Sequence, residues 1–275
     1  MYFLLIILFV VVLWLLVKLA IQKNKQRKRA LLIATSLPNN YREILLENFE
    51  LYADLPKQLQ NKLSSHIQVF LHEKQFVGCG GFVITDEVRL LIAAQACILI
   101  VNMQTDYFPG FRNILVYPDL YRVPQVQRDG FVHTESISVR GGESWKRGPV
   151  ILAWSQVLHG AKNRSEGSNV VMHEFAHKLD EENSVMDGLP ILTDRTHYRP
   201  WAEILTREYR SLQQNVLNNE PNIIDPYGAS SPVEFFAVVT EIFFNKPQQL
   251  YDTHPELYQQ FERYYQLDPK SWKQL

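Results

Sequence analysis

The run Val170-Val171-Met172-His173-Glu174-Phe175-Ala176-His177-Lys178-Leu179-Asp180 carries the pattern His-Glu-x-x-His inside a stretch that reads as helix. Histidines four residues apart share one face of a helix, so both imidazoles can reach one metal ion while the intervening Glu174 projects beside it. Gly167-Ser168-Asn169 supplies capping chemistry just before the run. Val171, Phe175 and Leu179 recur at i, i+4, i+8 and make a packing stripe beside the histidine face. Asp180, three residues after His177, is placed to orient an imidazole through its second nitrogen.

A catalytic zinc takes three protein ligands and keeps one position open for water. The segment Ser231-Pro232-Val233-Glu234-Phe235-Phe236-Ala237-Val238-Val239-Thr240-Glu241 offers the third. Ser231 reads as a helix N-cap with Pro232 at the first helical position, and the apolar content marks the helix as buried. Glu234 and Glu241 then stand two turns apart on one face, and buried carboxylates need a partner such as a cation. Ser231-x-x-Glu234 is equally a capping box, in which Glu234 would satisfy a backbone N–H instead. Spacing leaves both readings of Glu234 open.

Together, His173 to Asp180 and Pro232 to Ala237 resemble the Mlc titration factor A family, zinc-dependent peptidases with a site similar to that of the anthrax lethal factor protease. The likeness continues through Ile114 to Pro118, Gly148 to Leu152 and Phe243-Phe244, covering nearly everything after about residue 40. It implies one Zn2+ per chain held by His173, His177 and Glu234, with Glu174 as general base. Glu241 becomes a supporting residue and the alternative ligand. The resemblance also implies that Tyr227, seven residues before Glu234, donates its hydroxyl to a developing oxyanion. By the same likeness His133 is a fourth, inhibitory metal ligand. The family is associated with sequestering a transcriptional repressor of sugar-uptake genes, so the competing expectation is a zinc-containing regulatory protein that captures a transcriptional regulator or another protein. Retention of Glu174 favours the enzyme, because a purely structural zinc site has no use for a carboxylate beside an open position.

At the N-terminus, Tyr2 to Val17 is an unbroken apolar run, interrupted by Lys18 and continued by Leu19, Ala20 and Ile21. About 20 apolar residues span a bilayer, so residues 2–21 suffice if Lys18 snorkels to the interface. A removed secretory signal would want positive charge before the apolar core and an A-x-A-like site after it, and neither is evident. Lys23, Lys25, Arg27, Lys28 and Arg29 follow instead. The positive-inside rule then puts the N-terminus outside and the rest in the cytoplasm of a bacterium, single-pass in the inner membrane.

The expected organisation is a transmembrane anchor at residues 1–21, a basic juxtamembrane linker at 22–40 and a peptidase domain at 41–275. The fold class is α+β, a zincin-like domain with a small sheet. Helices are expected at Tyr41 to Asn48, Lys57 to Leu71, Val88 to Val101 and Trp201 to Leu217. Strands are expected at Asn113 to Tyr117, Ser136 to Arg140 and Val150 to Trp154, the last serving as the edge that would align an extended peptide. A formal net charge of -1 over 275 residues gives no footprint for nucleic acid. The only cysteines, Cys79 and Cys97, lack metal-binding spacing and fit free thiols in a reducing compartment.

Overall fold

The computed structural model describes residues 2–129, 132–140, 142–144 and 148–272; for Leu4 and residues 121–144 it describes the backbone alone. The chain is mostly helical. In order it forms α1 (Tyr2–Ala34), α2 (Asn39–Asn48), α3 (Glu50–Asp54), α4 (Lys57–Glu73), β1 (Gln75–Gly78), α5 (Asp86–Ile98), β2 (Asn113–Tyr117), β3 (Tyr121–Asp129), β4 (Val132–Arg140), β5 (Gly142–Ser144) and β6 (Val150–Ala153). The helices α6 (Trp154–Lys162), α7 (Val170–Asp180), α8 (Tyr198–Asn218), α9 (Pro232–Asn245), α10 (Pro247–Thr253) and α11 (Pro255–Tyr265) follow.

One small sheet runs β1-β2-β6-β5, with the first three strands parallel and β5 antiparallel to β6. Strands β3 and β4 form a separate antiparallel ribbon. Parallel strands need covering on both faces, which is why the sheet goes with a large helical layer. Helix α5, buried from Val88 to Ile98 apart from Arg89, is the middle of that layer. Its Thr85 cap accepts from Val88 N–H, and Asp86 and Glu87 fill the first turn, where negative charge complements the helix dipole. An aromatic group from α9 and α11 closes the far side, with Phe243 and Tyr265 stacked at 5.6 Å and Trp201 of α8 stacked on Phe261 at 5.4 Å.

Two elements differ from expectation. Val150 to Ala153 is not an edge: β6 is bonded to β2 on one side and β5 on the other. The edge beside it is β5, which packs on α7 and is paired on its other side with no strand among the described residues. The segment read as a linker over 22–40 is helix as far as Ala34. α1 continues unbroken from the apolar run and docks on α4, where Arg29 donates to Glu73 at 2.6 and 2.8 Å and reaches Asp106 at 2.5 Å. Before that contact its surface is apolar and exposed, and the helix is long and apolar enough to cross a membrane.

Candidate metal centre

Helix α7 begins where the capping cluster predicts, at Asn169. Its backbone is extended and its side-chain oxygen accepts from Met172 N–H at 3.0 Å, while its carbonyl accepts from His173 N–H at 3.0 Å. The same side chain donates to Gln95 Oε1 at 2.8 Å and Gly160 O at 3.1 Å, so the cap is tied to α5 and α6. Beyond it, Phe175 is fully buried against Phe70, Phe108 and Phe111, with ring centroids 5.6, 4.9 and 5.7 Å away. That packing sets the rotation of the helix and so turns the face shared by His173 and His177 toward α9. Their rings lie 4.7 Å apart and nearly perpendicular.

Helix α9 supplies the carboxylates. Ser231 caps it by accepting from Glu234 N–H at 3.2 Å, with Pro232 in the first turn. The forward half of the capping box therefore forms, while the Glu234 carboxylate turns to the histidines: Oε2 is 2.9 Å from His173 Nε2 and 3.4 Å from His177 Nε2. The donor atoms of His173, His177 and Glu234 all lie within 4.8 Å of one another. Ligands about 2.0–2.1 Å from a tetrahedral zinc stand roughly 3.3 Å apart. Two imidazoles and a carboxylate at these separations fit that ion.

Glu241, two turns on, meets the opposite side of His173. Its Oε1 is 2.7 Å from His173 Nδ1, and its other oxygen accepts from Asn169 N–H. With Glu241 accepting the Nδ1 proton, Nε2 faces Glu234, donating to it while the ring is protonated and offering a lone pair once a cation displaces that proton. Burial alone would push the His173 imidazole down. Hydrogen bonds to Glu234 and Glu241, with the charges of Glu241 and Glu174, override it and hold His173 well above its usual value. Burial likewise would raise Glu234, but hydrogen bonds from His173 and His177 hold its carboxyl far below the usual range. The pull these carboxylates exert on a proton is the pull they would exert on a metal cation.

Glu174 is buried on the same helix, close enough for its charge to bear on His173. Tyr227 lies in the 3-10 turn Pro226–Ala229, is 58% exposed, and has its ring 6.0 Å from that of His173. Asp180 accepts from Gly188 N–H at 2.8 Å through Oδ2. Its Oδ1 and His177 Nδ1 are both buried without a hydrogen-bond partner among the described residues. Burial raises the Asp180 carboxyl. Gly188 sits at φ +79, and a Cβ there would come within 2.5 Å of Pro232 O, so a glycine is required where the Asp180 loop meets the start of α9. His133 is on β4, and its side chain lies outside the described residues.

Asn169 and Gly188 are the supporting residues the sequence reading missed as such. Asn169 was one of three adjacent capping candidates, and nothing local marks Gly188 as the donor to Asp180.

A helix carrying His-Glu-x-x-His, joined by a carboxylate from a second helix, is the donor arrangement of a metallopeptidase. The comparisons agree. The profile described as glucose-regulated metallo-peptidase M90 matches residues 22–266. An uncharacterized protein of Synechocystis sp. (strain PCC 6803), slr2042, is 47% identical over 235 residues, 85% of this chain and 86% of its own length. Mlc titration factor A of Escherichia coli strain 55989 is 32% identical over 240 residues, 86% of this chain and 88% of its own. Its counterpart in E. coli strain IAI39 is 33% identical over 220 residues, covering 78% and 82%. The chain belongs to the M90 metallopeptidase family, alongside the Mlc titration factor A proteins.

Proposed function

We propose that the chain is a zinc peptidase with a zincin-like domain, held at the cytoplasmic face of a bacterial membrane by α1. The observation that carries the reading is the arrangement at His173, whose two ring nitrogens meet Glu234 and Glu241 at 2.9 and 2.7 Å while His177 shares the Glu234 oxygen. A structural site would not need a further carboxylate on the helix that carries the two histidines, and Glu174 provides one.

In this reading His173, His177 and Glu234 hold the metal, and Glu241 fixes the ring and tautomer of His173. Asp180, three residues after His177 and with a buried oxygen that has no partner among the described residues, does the same for His177. Bound zinc supplies a Lewis acid and a water whose pKa falls from about 15.7 toward 7. Glu174, on the helix between the two histidines, would serve as the base that takes a proton from the attacking water and returns it to the leaving amine. Tyr227, whose ring stands 6.0 Å from that of His173, donates its hydroxyl to the oxyanion. The edge of β5 that pairs with no strand among the described residues, beside α7, offers main-chain groups to an extended peptide.

The membrane placement is supported by the continuity of α1. A leader destined for removal has no reason to be ion-paired into the domain, as Arg29 is to Glu73 and Asp106. The basic flank beyond Ile21 supports a cytoplasmic side for the domain.

The test is zinc content and cleavage of a mixed peptide library by the full chain, beside Glu174→Gln. Stoichiometric zinc in both with cleavage only by the unmutated chain supports the peptidase; absence of zinc overturns it. A second reading, capture of a protein partner, draws on the relatives' name, which describes titration of Mlc. Partner binding that survives Glu174→Gln, with no cleavage by either form, favours it.

A further inference from the structure

The apolar surface of α1 ends at Ile21, and the next turns of the same helix, including Lys25, Lys28 and Arg29, form one wall of a cleft of about 450 Å³. The end of α4 at His72 to Lys74 and the loop carrying Asp106 to Arg112 form the other walls. Five lysines and arginines line it against two carboxylates, Glu73 and Asp106. Both carboxylates are already taken: Arg29 pairs with each, and Lys25 Nζ donates to Asp106 at 3.1 Å. Lys74 is turned inward and donates to the Phe108 and Phe111 carbonyls at 2.6 and 2.9 Å. Lys28 and Arg112 remain, both exposed and neither with an acidic partner among the described residues.

We propose that this cleft binds the phosphodiester head of an anionic phospholipid in the leaflet that α1 leaves. The inference rests on the membrane-anchor reading of α1. A helix that crosses a bilayer brings the residues just past its apolar run to headgroup level, and Lys25 to Arg29 begin one turn beyond Ile21. The surplus charge sits on two walls, one from α1 and one from the loop, so a single phosphate is met from both sides. Arg112 can engage two of its oxygens with a forked guanidinium, and Lys28 adds a point charge. Ile21, Pro109 and Phe111 give the cleft an apolar lip continuous with the exposed apolar side of α1, along which acyl chains can run. A free phosphate would use the same cations but not that lip.

The experiment uses the full chain in detergent micelles, with bound lipid read by native mass spectrometry. Phosphatidylglycerol is compared with phosphatidylcholine of the same acyl chains, and with inorganic phosphate as competitor. The variant K28E/R112E reverses the two unpaired cations; K23E/R27E makes the same charge change on α1 outside the cleft. The expected result is one retained phosphatidylglycerol per chain, weakened roughly thirtyfold in K28E/R112E by loss of two near-surface cation contacts. K23E/R27E should bind within about threefold of the parent. Equal losses in the two variants, or equal retention of both lipids, would overturn the cleft as the site. Displacement by inorganic phosphate at concentrations matching the lipid would overturn the lipid as occupant. Alkaline carbonate washing separates the two readings. A chain released from membranes by it overturns the anchor and the cleft together, whereas a chain that stays while failing the lipid test overturns the cleft alone.

Discussion

Replacing Glu241 probes the centre without touching a proposed ligand. Its two oxygens serve two donors, His173 Nδ1 at 2.7 Å and the Asn169 N–H that opens α7. In Glu241→Gln one oxygen can still accept, but the amide NH2 then confronts the other donor, and the charge that fixes the Nδ1 proton is gone. A hydrogen bond to a charged group contributes about 1.5–3 kcal/mol, and loss of such a supporting partner lowers metal affinity about 10–100-fold. We expect zinc affinity of Glu241→Gln to fall by that factor. Glu241→Ala should lose as much affinity and also about 1–3 kcal/mol of metal-free stability for each donor left buried without a partner. Zinc affinity is read by competition with a chromogenic chelator, and metal-free stability by denaturant unfolding in excess EDTA, which separates scaffold from metal. A Glu241→Gln protein that binds zinc within about twofold of the parent, far inside that range, would refute the idea that Glu241 orients His173.

Three further outcomes follow from the same geometry. Glu174→Gln should keep zinc and fold while lowering turnover about 10²–10⁴-fold, measured as peptide hydrolysis against metal content. His177→Ala and Glu234→Ala should each lose stoichiometric zinc in elemental analysis after dialysis, with secondary structure retained by circular dichroism. His66, packed 5.4 Å from the Tyr107 ring with Nδ1 buried, is held down to about 4 by burial and then by the nearby Lys62 charge. A base whose folded pKa is lowered takes up its proton more readily when unfolded. Metal-free stability should therefore fall by about 3 kcal/mol as pH drops from about 6.5 to 4, and His66→Phe should flatten that slope in denaturant titrations.

The centre was legible because its geometry is local. Two histidines on one helix face need only the i, i+4 rule, and the start of α9 is written in Ser231 and Pro232, so His177 and Glu174 beside His173, and the helix that carries the carboxylates, followed from short-range pattern. Glu234 illustrates the limit. Its spacing from Ser231 fits a capping box as well as a ligand, and only the side-chain direction across 61 residues of sequence to His173 separates them. The sheet edge was missed for a related reason. Strand β5 is three residues long, Gly142–Ser144, too short to carry an alternation, so the longer apolar run at Val150 drew the assignment. The junction of α1 was missed because Lys23 to Arg29 reads as solvated charge. What turns it into docked helix is Glu73 and Asp106, 44 and 77 residues away.

A helix that runs without a break from an apolar segment into its own globular domain behaves as a post, not a leash. Arg29 lies eight residues past Ile21, about 12 Å along the axis at 1.5 Å per residue. For a bilayer-crossing α1, the domain would sit nearly flush with the headgroups, unable to reach far into the cytoplasm or to swivel independently of its stem. Its substrates would then be met by lateral diffusion in two dimensions, and accessible backbone near the membrane surface would count for more than abundance in bulk solution.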